Sequence, residues 1–192
     1  MGDFRGFVHG LVGATRQLLQ NELLFGKYLA IPAIPWPSMR DDPTQLKAGW
    51  SFLHDQRTRW PVDGQQWMMQ QLQAQPFLQR QFLRLGSNPC FHPPAVEAYL
   101  RQVIHFREKL AVTVHLTAGQ PSRAPELLSI RYCNTTARGV RNLFIEDGLV
   151  TFVTHYHKGY FVSGDIKIIH RYILREVGEL VIWYLWLVLP FV

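Results

Sequence analysis

The run LVIWYLWLVLPFV, from Leu180 to Val192, carries no charged residue. Any fold of this chain must keep most of that surface from water. At thirteen residues it falls short of the roughly 18 to 20 that a membrane-spanning helix needs, and Pro190 interrupts it. The run therefore predicts a buried core helix over about 174–189 and no membrane partner. One alternative stays open: an apolar edge that a missing C-terminal chain or a homo-oligomer covers through 180–192. A chain stopping inside such a run, with no polar tail, is expected of a truncated domain.

Upstream, the hydrophobic period divides the sequence. Within residues 4–30, Phe7, Leu11, Leu18, Leu19, Leu23 and Leu24 recur at helical spacing, which predicts a helix that ends near Gly26. Four prolines between Ile31 and Pro43 mark an extended connector. Helices are expected over 43–55, 64–74 and onward to Leu85. SNPCFHPP then breaks the pattern, so residues 1–88 are read as a helical bundle and 89–94 as a linker.

Beyond it, Val96, Leu100, Val103, Ile104, Leu110 and Val114 form one helical stripe that Gly119 ends. A further helix starts at Arg123 and is expected to run to about Tyr132. From Asn142 the chain turns to β-branched and aromatic residues, with the hairpin dipeptide Asp147-Gly148. Three antiparallel strands follow: 142–146, 149–157 and 166–172. The fold class is mainly α with a small three-stranded antiparallel sheet, residues 95–192 forming a second domain.

The composition, 47% hydrophobic and 18% charged, is that of a folding chain. Two cysteines, Cys90 and Cys133, are too few for a disulfide framework, and MGDFRGFVHG lacks the apolar core of a signal peptide. An intracellular setting is expected. The net charge of +6 favours an anionic partner. Its excess gathers between Glu97 and Arg141, around the stretch GQPSRAPEL. An arginine at a helix mouth gains nothing from the helix dipole, so Arg123 there suggests that something negative sits nearby.

Arg123, Glu126 and Lys158, in this order around a three-stranded sheet, resemble the tyrosine recombinases of the integrase type. In that family R-x-x-E-L opens a helix after a glycine turn, and a lysine lies in the turn after the second strand. The resemblance implies a partial integrase-like catalytic domain. Arg123 would grip the scissile phosphate through its two-pronged guanidinium, Glu126 would complete the motif, and Lys158 would protonate the departing 5′ oxygen. Arg131, Arg138, Arg141, Lys167 and Arg171 would be backbone contacts, with His155 and His157 touching phosphate. The H-x-x-R helix and nucleophilic tyrosine expected after Leu189 have no counterpart in this sequence, so no strand cleavage is expected from this polypeptide alone.

NELLFG, IPWPSMRDDPTQL, GWSFLHDQRT and FIEDGLVTFVTHYHKGY are similar to the segment ahead of the RecQ-like module in fungal telomere-linked helicases and related mobile-element proteins. That likeness implies a DNA partner, DNA recombination and a nuclear location. No G-x-x-x-x-G-K-[ST] loop occurs, so no nucleotide cofactor is implied. The plain alternatives also stand. Arg123 pairs with Glu126 or Glu97 on a solvated face, Lys158 is an ordinary turn lysine, and the chain is a protein-interaction or remnant module without a DNA role. His155 and His157 at H-x-H spacing, even with Cys133 or His170, are too few for a metal site to be assigned.

Overall fold

In the computed structural model the uncharged C-terminal run is covered by its own chain: Leu180 to Ile182 and Tyr184 to Val188 are all buried. The end of the run stays partly exposed, with Val192 at 56%, and residues 180–182 and 184–188 are not themselves an open apolar edge. The structure describes residues 2–84, 90–119, 123–137, 139–156 and 167–192, with Gly2, His155, Tyr156 and Lys167 described in backbone only. Among them the helices are α1 (Gly2–Gln17), α2 (Gly64–Ala74), α3 (Pro76–Phe82), α4 (Pro93–Thr117), α5 (Ala124–Leu128) and α6 (Arg175–Trp183). A two-stranded ribbon pairs β1 (Leu83–Arg84) with β2 (Cys90–Phe91), and a meander is ordered β3 (Leu143–Glu146), β4 (Leu149–Tyr156), β5 (Lys167–Tyr172). The mainly α fold with a small antiparallel sheet is what the hydrophobic period predicts.

The chain divides into two compact units that are not consecutive in sequence: residues 1–34, 60–112 and 179–192 form one, and residues 35–59 and 113–178 the other. The proline-rich stretch at 89–94 thus lies inside the first unit. Its two strand residues pair with Leu83 and Arg84, and Pro93 and Pro94 open α4, where a missing N–H costs nothing.

Aromatic side chains dominate the first unit. Tyr99 meets Phe25, Phe82 and Phe191 at ring separations of 6.1, 5.8 and 5.4 Å, and Trp60 meets Trp186 at 4.6 Å. Each such pair adds about 0.5–1.5 kcal/mol beyond simple burial. Gly64, the first residue of α2, lies so close to the Trp186 ring and carbonyl that any side chain there would collide with them. Asp63 starts this helix by accepting the Gln65 N–H at 3.0 Å.

The second unit depends on long-range polar contacts. The helix expected over 43–55 does not form, apart from one tight turn at Phe52–His54. Its backbone groups are taken by Asn134 instead. Gly49 N–H donates to the Asn134 carbonyl and Asn134 N–H to that of Trp50, both at 2.9 Å. The Asn134 amide donates to the carbonyls of Gln45 and Lys47 at 2.8 and 3.1 Å. Four bonds to a distant residue outweigh a weak local helical preference.

The strands match expectation within a residue or two. Asp147 and Gly148, with φ of +50° and +72°, make the turn that a right-twisted hairpin favours. Register puts Leu143, Phe152 and Arg171 side by side on one face, with Val150 and Ile173 also buried. Below them Gly178 of α6 lets Val150 and Trp36 approach closely.

Candidate functional site

The helix expected from Arg123 to about Tyr132 ends at Leu128. Ser129 turns back to donate its hydroxyl to the Glu126 carbonyl at 2.7 Å, and Arg131 N–H is taken by the Asn142 side chain at 2.6 Å. Further turns are lost because their backbone groups are already bonded elsewhere. Gly119, with φ of +80°, ends the described part of the segment that leads from α4 toward α5.

Arg123 is the exposed residue immediately before α5, in extended geometry. Glu126 holds that start: its Oε2 accepts the Arg123 N–H at 3.3 Å. The same oxygen lies 3.7 Å from Arg171 Nη2. The structure therefore brings Arg123, Glu126 and Arg171 together, with the carboxylate as the link between the helix mouth and β5.

Arg171 is 4% exposed, and its Nε donates to Thr154 Oγ1 at 3.3 Å. The expectation that it contacts a DNA backbone is corrected: a guanidinium buried against a carboxylate and a hydroxyl has no surface to offer a phosphate. Arg141 is corrected on stronger grounds. Its Nη1 and Nη2 donate to the two carboxylate oxygens of Asp41 at 2.8 and 2.6 Å, and to the carbonyls of Leu143 and Asp42 at 3.0 and 2.8 Å. Asp41 also accepts the Ile145 N–H at 3.0 Å. Together the pair satisfies outward-facing groups of edge strand β3, which would otherwise invite another strand.

Sequence reasoning missed Asp41 altogether. The signal was the acid pair after Arg40 in MRDDP, in a connector that composition marks only as proline-rich. Nearby, Arg57 donates bidentately to Asp55 at 2.9 and 2.6 Å. That hydrogen-bonded guanidinium holds the Asp55 carboxyl below its ordinary range despite burial.

Arg131 is exposed, on the segment between α5 and β3. His155 and Lys167 belong to β4 and β5, with side chains outside the described residues, and Arg138, His157 and Lys158 lie outside them entirely. Among the described residues no three His, Cys, Asp or Glu side chains could hold a metal ion together, and no helix is long and apolar enough to cross a membrane. Comparison of the chain with protein-family models, curated proteins and solved structures finds no match.

Proposed function

We propose that residues 95–192 are a recombinase-like DNA-binding region that grips phosphate at the mouth of α5, in a nuclear protein of mobile-element or telomere-linked helicase type. One observation carries the reading: Arg123 stands exposed at the start of a short helix whose Glu126 is tied back to the third strand of the sheet. Helix, positive-φ glycine, R-x-x-E helix, meander and helix follow in the order that the recombinase resemblance implies. Charge agrees in sign, since the second unit carries twelve lysines and arginines against eight acids, a net of +4.

Arg123 supplies a planar fork for two phosphate oxygens. Glu126 fixes the backbone at the mouth, and Arg171 neutralises part of its charge from the interior. Arg131 adds a backbone contact, and Lys158, Lys167, Arg138, His155 and His157 are proposed to extend the same surface. Binding, without strand cleavage, is the role of these residues.

Fluorescence anisotropy with a duplex oligonucleotide at two salt concentrations tests it, comparing the native chain with Arg123→Ala and Lys158→Ala after circular dichroism shows all three folded. Binding should weaken steeply with salt. Each substitution should cost about tenfold or more, the worth of one charge-assisted hydrogen bond. Salt-insensitive binding, or variants indistinguishable from the native chain, removes the reading and leaves Arg123 as a surface ion-pair residue.

A further inference from the structure

Both faces of the meander carry apolar side chains, and among the described residues the face of Val153 and Ile168 is the more exposed. Pairing of Val153 with His170 and of His155 with Ile168 places Val153, His170 and Ile168 on the face opposite Phe152 and Arg171, and Phe144 shares it. This second face floors a groove of about 800 Å³, within the 300–1,000 Å³ of small-molecule sites. Its walls include Phe144, Val153, Ile168 and Val140, the last two 60% and 51% exposed. The Arg141 guanidinium lies 4.5 Å from the centre of the Phe144 ring and helps fix that wall.

Charge around the groove is uneven. Asp41 and Arg141 neutralise each other in a buried bidentate pair. Glu146 accepts the Tyr172 hydroxyl at 3.0 Å and lies 3.6 Å from His170 Nδ1, an ion pair only when that imidazole is protonated, so it keeps its negative charge at the β3 end of the groove. Arg131 also lines the groove, and among the described residues its guanidinium has no ion-pair partner. Among the described residues, an apolar trough with Arg131 as its cation without an ion-pair partner fits an apolar body carrying a single negative charge, held away from Glu146. It fits a nucleobase poorly, because a base brings several polar edge groups that an apolar wall would leave without partners.

We propose that this groove binds a small amphipathic carboxylate, its chain or ring lying on Phe144, Val153 and Ile168 and its carboxylate on Arg131. The site shares Arg131 with the proposed DNA surface and does not involve Arg123. It is tested without DNA.

The probe is decanoate, titrated into the full chain with methyl-labelled Ile, Leu and Val and followed by NMR. Decanol supplies the same body without charge, and acetate the charge without a body. Decanoate should shift the methyls of Val140, Val153 and Ile168 and leave that of exposed Leu46 unmoved. Affinity should grow about fourfold for each methylene that finds apolar wall, and acetate should not bind. Arg131→Gln should weaken decanoate about fivefold while leaving decanol unchanged. Ile168→Glu, at an exposed position that tolerates a charge, should weaken decanoate more than decanol. The proposal is overturned if the groove methyls do not move, if methyls across the surface move alike, or if Arg131→Gln binds decanoate as tightly as the native chain.

Discussion

The two units solve the problem of holding 192 residues together by different means. In the first, Leu19, Leu23, Phe106, Leu180, Ile182, Leu187 and Val188 are fully buried, and aromatic rings fill the space between them. Each contributes on the order of 1.5–3 kcal/mol by leaving water, and the loss of any one leaves the rest in place. In the second, the connector is pinned by Asn134 and by the Asp41–Arg141 pair, both taking up backbone groups far away in sequence. A packed core loses stability in proportion to what is removed. A buried polar network loses disproportionately, because deleting one member strands the others without partners.

The sharpest way to break that contrast is Asp41→Ala. Its partner Arg141 has a side chain wholly removed from solvent, so the substitution leaves an uncompensated buried cation and an unpaired Ile145 N–H. The expected loss is about 3–5 kcal/mol, read by urea denaturation. Replacing both partners, as Asp41→Leu with Arg141→Met, should cost less than Asp41→Ala alone, since no charge is then stranded. If the double variant is the worse of the two, the pair matters for shape rather than charge.

A smaller effect is expected in the first unit. Gly64→Ala drives a methyl into the Trp186 indole and should cost about 1–3 kcal/mol by overpacking. Gly64→Ala combined with Trp186→Leu should recover part of that loss in the same denaturation experiment. A Gly64→Ala chain as stable as the native one would show that Trp186 shifts freely and that the aromatic packing is looser than its ring separations imply.

The same contrast explains what the sequence revealed. Strand positions and the hairpin were legible because alternation and Asp147-Gly148 are local signals, and the C-terminal core helix because an uncharged run has few other places to go. The connector at 43–55 was misread because Leu46, Trp50 and Leu53 suggest a helix, whereas Asn134, more than eighty residues away, decides its conformation. Net charge misled in a related way. Arg141 and Arg171 count as surface cations in any tally, yet Asp41 and Glu126 draw them inside, and no local pattern announces either pairing. Apolar residues on both faces of the strands, Phe144 beside Ile145 and Phe152 beside Val153, were the available clue to the groove.

The gentlest test concerns a polar group placed inside the apolar unit. Tyr99 is buried among Phe25, Phe82 and Phe191, and its hydroxyl donates to the Leu23 carbonyl at 3.2 Å. Burial lifts its phenol well above the ordinary 10.0, and nearby Tyr184 adds to the effect. Unfolded, the group ionises near 10.0, while in the fold it stays protonated. Its contribution to stability is therefore fully present below about pH 10 and is lost as the pH climbs from there through the raised folded value. Tyr99→Phe should cost about 1 kcal/mol near neutrality, the worth of one buried hydrogen bond. Above pH 10 the gap to the native chain should narrow, because the variant has no phenol at that position to release a proton on unfolding. Tyr172, raised chiefly by its bond to Glu146, and Tyr184, raised by burial, remain in both proteins, so the alkaline decline should shrink rather than vanish. Urea midpoints at pH 7 and pH 10.5 decide the matter. A gap that stays constant would mean that Tyr99 keeps its protonation equilibrium on folding, and that the aromatic cluster admits water where its geometry shows close packing.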